Sequence, residues 1–167
     1  RSKWSLRDRT DRKGNGCVRC VDVWIEDQDK KHVNAGKSGE EVRICANYEI
    51  VGSEDPSGLR AAFSVSDMAG VEIVNFFNRV TGQEFVGDIP RSGTITCVVG
   101  KLPLTKGRYS MDIHLSGLDK TLLDYVEHAF TFDVVDGDFF GTGRLDESRL
   151  ILVDHHWAIE GTNNYEE

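Results

Sequence analysis

The chain has 167 residues, of which 39% are hydrophobic and 29% charged, values that are ordinary for one soluble globular domain with its own core. Its formal net charge of −8 argues against a nucleic acid as the partner. No apolar run approaches the ~20 residues that a membrane-spanning helix needs, and the charged first residues have none of the features of a signal peptide.

The charge is distributed unevenly along the chain. Residues 1–15 contain six Lys or Arg and two Asp, a net charge of +4, so the other 152 residues carry −12. A short basic segment before an acidic body is typical of a flexible linker or tail. We therefore divide the chain into a linker, residues 1–15, and a globular domain, residues 16–167.

Hydrophobic and polar residues alternate with a period of two in many short segments separated by turn-forming residues. A last run, 149–159, predicts a terminal strand, and only the segment 122–128 suggests a turn of helix. Many short strands without a long helical pattern predict an all-β fold, an immunoglobulin-like antiparallel β-sandwich. We expect the first, second and fifth strands in one sheet and the others in the second. The seven predicted strands before the terminal one lie at 21–26, 42–50, 59–67, 71–78, 94–102, 107–117 and 128–135.

The sequence contains Gly36-Lys37-Ser38, the last three residues of the phosphate-binding loop of ATPases. The full motif needs a glycine five residues before Gly36, where this chain has Lys31. A strand-like alternating segment follows, whereas the motif opens a helix. We therefore expect a polar turn here and no bound nucleotide.

Four cysteines raise the question of a metal site or a disulfide framework: Cys17, Cys20, Cys45 and Cys97. Cys17-x-x-Cys20 has the spacing of half a zinc site, but no second close pair follows. We expect small, partly buried thiols, no metal and no cofactor. Free thiols fit the reducing cytoplasm better than secretion.

The sequence has no motif that joins a nucleophile to its base. Two groups concentrate catalytic residue types, Asp154-His155-His156 and the pair Asp112 and His114. Neighbouring histidines on a strand point to opposite faces, so they cannot simply share one metal. Asp112 and His114 share a face and could form a dyad, but polar side chains on an exposed strand are more common. We expect that the chain is not an enzyme.

One predicted sheet face combines small, polar and aromatic side chains. They point outward together if four of the strands share one sheet. These strands lie at 59–67, 71–78, 108–116 and 126–135. Either Phe76 or Phe77 must join them, because consecutive strand residues alternate. Paired donors and acceptors suit the hydroxyl groups of a sugar, and an aromatic ring suits its apolar face. The alternative is a solvated face without a ligand. The predicted glycan-binding residues are Arg60, Ser64, Ser66, Phe76, Ser110, Asp112, His114 and Thr131.

Several segments, taken in order, resemble a known family. They are SGEEVRI, LRAAFSVSDMAGVEI, KLPLTKGRYSMDIHL, HAFTFDVVDGD, and GTGRL followed by HHWAIE. The more specific parts are LPL-x-x-G-x-Y, from Leu102 to Tyr109, and H-x-W, from His155 to Trp157. Over residues 16–160 this order resembles the C-terminal domain of Wzt proteins, the ATP-hydrolysing subunits of ABC transporters that export O-antigen polysaccharide.

The resemblance implies a carbohydrate-binding module that recognises the finished, often chemically capped, non-reducing end of O-antigen polysaccharide and gives the transporter its substrate specificity. Residues 1–15 would be the linker from an N-terminal ATPase domain, and the full-length protein would contact the membrane subunit of the transporter. The implied location is the cytoplasm, at the inner face of the bacterial inner membrane. Members of the family also form homodimers, some by exchange of the terminal strand, here Leu150 to Ile159.

An alternative function is that of a structural immunoglobulin-like domain that mediates protein–protein contacts within the transporter. The fold alone does not separate the two functions, because function depends on the site. A concave polar groove with an exposed aromatic residue would favour a glycan, whereas a flat apolar patch would favour a protein. The sequence leaves the roles of Trp24 and Trp157 open.

Overall fold

The computed structural model describes residues 4–146, 149–159 and 161. This part of the chain contains no helix, and therefore none that is long and apolar enough to cross a membrane. It contains eleven strands, namely β1 (Trp4–Ser5), β2 (Val18–Glu26), β3 (His32–Val33), β4 (Ala35–Lys37), β5 (Val42–Ile50), β6 (Gly58–Asp67), β7 (Glu72–Phe77), β8 (Phe85–Val86), β9 (Ser92–Val99), β10 (Gly107–Ser116) and β11 (Leu122–Val135).

The strands form two sheets that pack face to face. The first sheet has the order β1-β2-β5-β9, with β3 paired to β2. The second sheet has the order β4-β11-β10-β6-β7, with β8 paired to β6. All of these pairs are antiparallel except β4 with β11. The predicted β-sandwich is confirmed, and the first seven predicted strands divide between the sheets as expected, because the first, second and fifth are β2, β5 and β9. The eighth prediction, a terminal strand at 149–159, is wrong for the described residues, where this run belongs to neither sheet.

The core lies between the sheets, where the alternating apolar residues of both meet. The largest fully buried side chains of the second sheet include Phe63, Tyr109, Met111 and Ile113. Each such side chain stabilises the fold by about 1.5–3 kcal/mol relative to its exposure in water. Tyr109 also donates its hydroxyl to the carbonyl oxygen of Thr105 at 2.6 Å, so its polar end is satisfied inside the core.

Strand β11 differs from the prediction in the segment expected to turn as a helix. Met111 pairs with Phe130 and Ile113 with Val126, so β11 gains two residues against β10 and forms a bulge. At this bulge His128 has a φ of 48°, a left-handed conformation that a bulge accommodates. The two extra residues interrupt the alternation, so the neighbouring residues Ala129 and Phe130 are both buried in the core.

The basic N-terminal segment packs against the sandwich from its first described residue. Trp4–Ser5 pairs with β2, and Leu6 is buried in the core. The guanidinium of Arg12 lies 3.3 Å from the carboxylate of Asp124, with both side chains almost fully buried. The composition predicts a flexible linker here. The described residues are instead held in place, because burial of Leu6 and of the ion pair fixes them. The connection of the segment to an ATPase domain stays a prediction.

The Gly36-Lys37-Ser38 stretch forms the end of β4 and the residue after it. The hydroxyl of Ser38 is buried and donates to the carbonyl oxygen of Leu104. The predicted polar turn is wrong for Gly36 and Lys37, because they pair with Val134 and Val135 of β11, and the turn begins only at Ser38. No helix follows among the described residues, so this stretch lacks the geometry of a phosphate-binding loop.

The four cysteines are free thiols. Cys20 and Cys45 are buried, and Cys17 and Cys97 are partly buried. Burial raises the pKa of the Cys45 thiol to about 11 and raises the pKa of Cys20 as well. Thiols held in the protonated form are poor nucleophiles and poor metal ligands, so these two cysteines serve packing.

Candidate functional site

The outer face of the second sheet brings the predicted polar residues together. Ser110 on β10 lies between Ser66 on β6 and Thr131 on β11. The next outward residue of β10, Asp112, lies opposite Ser64. Residues that pair across strands share a face, so seven of the eight predicted residues occupy one surface, the outer face. They are Arg60, Ser64, Ser66, Ser110, Asp112, His114 and Thr131.

Phe76 does not belong to the outer face. It pairs with Phe63, a core residue, and packs against the core itself. Phe77 pairs with Ala62 on the outer face instead. The prediction that one of the two rings points outward was right, but the choice of Phe76 was wrong. An irregularity in β7 next to Glu72 offsets the alternation there. Phe76 lines a cavity of about 520 Å³ at the open edge between β7 and β9.

The middle of the outer face is organised by the carboxylate of Asp112. One of its oxygens accepts a hydrogen bond from the backbone N–H of His128 at 2.7 Å. The other accepts from the hydroxyl of Tyr125 at 3.3 Å. Asp112 therefore holds the β11 bulge by its backbone and fixes the hydroxyl of Tyr125.

Ser110 is likewise covered by the bulge. Its hydroxyl lies 2.9 Å from Nδ1 of His128, and the residue is buried. Ser110 thus positions the exposed imidazole of His128 rather than contacting a ligand. Sequence reasoning missed His128 and Tyr125, because the two extra residues of the bulge are invisible in the alternation pattern.

Two aromatic side chains stand side by side on this face. The rings of His114 and Tyr125 have centroids 5.5 Å apart. Burial lowers the pKa of His114, and burial followed by the charge of Asp112 raises the pKa of Tyr125. Both side chains are therefore uncharged at neutral pH. An uncharged ring with a polar edge can contact the apolar face of a sugar and still exchange a hydrogen bond.

Ion pairs occupy the two ends of the outer face. Arg60, at one end, is partly buried and pairs with Glu84, so its guanidinium is engaged within the protein. Arg108 and Asp133, at the other end, pair at 2.9 Å and are about half exposed. The hydrogen bond from Arg108 lowers the pKa of Asp133.

The N-terminal segment reaches the back of the bulge. The guanidinium of Arg9 donates to the carbonyl oxygen of Glu127 at 2.8 Å and to that of His128 at 3.3 Å. Lys13 forms a backbone bridge with Tyr125. The elements that hold the bulge are therefore β10 on one side and the N-terminal segment on the other.

The two groups considered as catalytic are not assembled for catalysis. Asp112 bonds Tyr125 and His128, as described above. Asp154 pairs with Lys101 at 2.7 Å, and Nδ1 of His155 lies 2.7 Å from the carbonyl oxygen of Val153. In the part of the chain that the structure describes, no three His, Cys, Asp or Glu side chains cluster as metal ligands would.

The two tryptophans whose roles the sequence left open lie in different environments, one buried and one exposed. Trp24 is buried, stacks on His32 with ring centroids 5.3 Å apart, and donates its indole N–H to Glu26 at 2.8 Å. It therefore serves packing on the first sheet. Trp157 is 87% exposed, and it lies in the run that was predicted as the terminal strand. Within the described residues, that run forms only a single bridge, between Ile151 and Leu104.

Comparisons with known proteins agree with this fold. A family model, the Wzt C-terminal domain, matches residues 9–145. The crystal structure of the C-terminal domain of Wzt has a TM-score of 0.70 and 13% sequence identity, and the match covers 92% of this chain and 90% of that chain. No curated protein matches the chain.

Two further solved structures are similar over a smaller share of this chain. A Niemann-Pick type C2 protein from the Japanese carpenter ant has a TM-score of 0.44 and 11% identity, with 75% of this chain and 98% of that chain covered. The CARDB domain of a Pyrococcus furiosus protein has a TM-score of 0.40 and 10% identity, with 75% of this chain and 100% of that chain covered. At these identities structural similarity concerns the fold alone, whereas the family model spans most of the chain; the chain belongs to the Wzt C-terminal domain family.

Proposed function

We propose that this domain recognises the capped non-reducing end of an O-antigen polysaccharide and gives substrate specificity to the ABC transporter that exports it. At the level of the family, the chain is a non-catalytic carbohydrate-binding domain of an ABC transporter. The finer proposal concerns which glycan feature is recognised and where it binds.

The proposal rests on the outer face of the second sheet. Its bulge presents His128 and Tyr125 beside His114, with Phe77 on the same surface. Burial keeps His114 and Tyr125 uncharged at neutral pH, and the four side chains offer rings, donors and acceptors on one surface. Such a surface suits a neutral sugar better than a phosphate or a carboxylate. A shallow face immobilises few ligand atoms, so we expect a Kd on the order of micromolar to millimolar.

The transporter context of the proposal follows the family. The full-length protein would carry an ATPase domain before residues 1–15 and contact the membrane subunit, at the inner face of the bacterial inner membrane. A homodimer by exchange of Leu150 to Ile159 is also part of the proposal. Three side chains of this run, Val153, Trp157 and Ile159, are 63%, 87% and 99% exposed. Water contact of this extent is unfavourable for large apolar groups, and a second copy could bury them.

A structural protein-binding domain stays the second candidate. It is favoured by Val80 and Val86, which are 83% and 80% exposed near the open edge of the sandwich. Large apolar groups exposed to this extent are typical of a protein interface. Val80 donates its backbone N–H to the carbonyl oxygen of Phe77 on the outer face, so this patch borders the outer face. The two candidates are distinguished by whether binding affects Val80 and Val86 or the rings of the β11 bulge.

A titration of the domain with two glycans tests the proposal. One is the intact polysaccharide of the source organism, and the other is the same polymer without its non-reducing terminus. With the intact polymer only, we expect a heat of binding in calorimetry and NMR chemical-shift changes at His114, Tyr125 and His128. Equal binding of both polymers would overturn recognition of the terminus. Binding of neither would leave the protein-binding function as the better account.

A further inference from the structure

We propose a second sugar subsite in a groove beside Trp4, continuous with the outer face, which takes an internal pyranose of the same glycan. This inference rests on the proposed function, because it extends the surface on which the glycan would lie. The groove has a volume of about 470 Å³, within the range of ligand sites. The residues that carry the argument are Trp4, Asn34, Arg108, Thr131 and Asp133.

Trp4 supplies the aromatic platform of this groove. It lies in β1, at the edge of the first sheet, where it pairs with Val23. Its ring meets Phe130 edge to face, with centroids 5.6 Å apart and planes at 86°. This contact fixes the indole yet leaves the residue 47% exposed. A large ring that is held in place and open to solvent loses little conformational entropy when a sugar stacks on it.

Polar groups line the groove beside the ring. Arg108 donates through Nε and Nη2 to the two carboxylate oxygens of Asp133, at 2.9 and 3.5 Å. This pairing leaves further guanidinium N–H donors and carboxylate lone pairs for a ligand. Asn34 is exposed and carries an amide with both a donor and an acceptor. Vicinal hydroxyl groups of a pyranose need such paired donors and acceptors, whereas an apolar ligand would leave them unsatisfied.

The groove and the outer face share a boundary on β11. Thr131 lines the groove and also pairs with Ser110 on the outer face. Asp133 is the next outward residue of the same strand, about 7 Å further along, and it pairs across the sheet with Arg108. A ligand that crosses Thr131 therefore touches both surfaces. A polymer of several sugars can do this, whereas a single terminal sugar contacts only the outer face.

Two glycan fragments and two Trp4 variants test the subsite. The fragments are a short one, with the capped terminus and one sugar, and a long one, with the same terminus and several repeats. Trp4→Ala should weaken binding of the long fragment by roughly tenfold and leave the short fragment unchanged. Trp4→Phe keeps a ring, and its long-fragment Kd should stay within about threefold of the wild type. Phe140→Ala removes an exposed aromatic residue outside both surfaces and serves as the control.

The outcomes separate the subsite from the proposed function. If the long fragment bound folded Trp4→Ala as tightly as the wild type, the subsite would be overturned. The outer face would then remain the proposed binding surface. Failure of both fragments to bind the wild-type domain would overturn the proposed function as well. Because Trp4 packs on Phe130, thermal unfolding is recorded for each variant, and Asn34→Ala provides a test that does not alter this contact. Asn34→Ala should also weaken the long fragment alone, and an unchanged Kd would count against the subsite.

Discussion

Asp112 is the residue on which the geometry of the outer face depends. Each of its two oxygens accepts a different hydrogen bond, one from a backbone N–H and one from a phenol. Hydrogen bonds to a charged acceptor are stronger than neutral ones. The carboxylate therefore keeps His128 in its left-handed conformation and fixes the position of Tyr125. We regard Asp112 and Ser110 as positioning residues of the proposed site.

Substitution Asp112→Asn should loosen the bulge and weaken glycan binding. The amide oxygen can still accept from His128 and the amide NH2 can donate to the hydroxyl of Tyr125, but the charge that strengthens both hydrogen bonds is lost, at a cost of about 1–2 kcal/mol in the free energy of unfolding. Urea unfolding and calorimetric titration measure the two effects. Asp29→Asn changes an exposed carboxylate in the turn between β2 and β3 and is the matched control. An unchanged glycan Kd in Asp112→Asn would remove the site from this face.

His114 should make the domain less stable in acid. Burial lowers its pKa in the folded state, so the folded protein binds this proton less readily than the unfolded chain does. The contribution of His114 to the free energy of unfolding is therefore fully present above the unfolded pKa of about 6.5, and it decreases as the pH drops below that value. The loss of unfolding free energy between pH 7.5 and 5.5 should be smaller in His114→Gln than in the wild type. Equal losses would show that other groups cause the acid sensitivity.

At the scale of the elements, alternation identified the strands and their buried faces, whereas their division between sheets followed from the immunoglobulin-like topology. It did so because each strand buries one face, and a shift by one residue would expose the whole apolar set. Alternation fails where a strand gains residues. The irregularity in β7 exchanged the roles of Phe76 and Phe77, and the bulge in β11 concealed His128. These two places also shape the candidate site, so its outline could be predicted but its exposed contacts could not.

The N-terminal segment is the element whose structure differs most from the prediction based on composition. Its six basic residues suggested a solvated linker, yet Arg12 is buried against Asp124, whose carboxylate also accepts from the backbone N–H of Cys20 at 2.8 Å. A buried ion pair depends on the tertiary structure, and no local pattern indicates it. The two apolar residues of the segment, Trp4 and Leu6, were the available signals.

Substitution Arg12→Met should destabilise the fold by about 3–5 kcal/mol, because it leaves a buried carboxylate without its partner. Burial raises the pKa of Asp124 even beside Arg12, and loss of the cation would raise it further. A carboxyl with a raised folded pKa destabilises the protein increasingly as the pH rises. The deficit of Arg12→Met should therefore be smaller at pH 5 than at pH 7.5 in urea unfolding. Arg7→Met, in an exposed ion pair with Glu49, is the control and should change stability little.

At the scale of the whole molecule, the terminal run Leu150 to Ile159 decides the proposed assembly. Leu152 is buried, and its backbone N–H donates to the carbonyl oxygen of Pro103 at 2.7 Å, whereas the residues after it are largely exposed. We expect the full chain to be a dimer and a chain that ends at Leu152 to be a monomer, by light scattering. Trp157→Ala should weaken the dimer. The unfolding temperature of this variant should be no lower than that of the truncated monomer, as expected if the substitution affects association and not the fold. Strand exchange would be contradicted if the full chain stayed monomeric at roughly 100 μM, because the dissociation constant of a stable dimer lies well below that concentration.

The contact of Arg9 with the bulge has a consequence for communication between domains. Its guanidinium binds the carbonyl oxygens of Glu127 and His128, directly behind the side chains that would meet a sugar. A ligand that displaces the bulge must also change the hydrogen bonds of Arg9, and the reverse holds with the same coupling free energy. Under the proposed function, ligand binding at the outer face and the conformation of the N-terminal segment would therefore be thermodynamically coupled. If an ATPase domain precedes this segment, as we propose, binding of a glycan at the outer face would alter the hydrogen bonds that hold the segment to the sandwich.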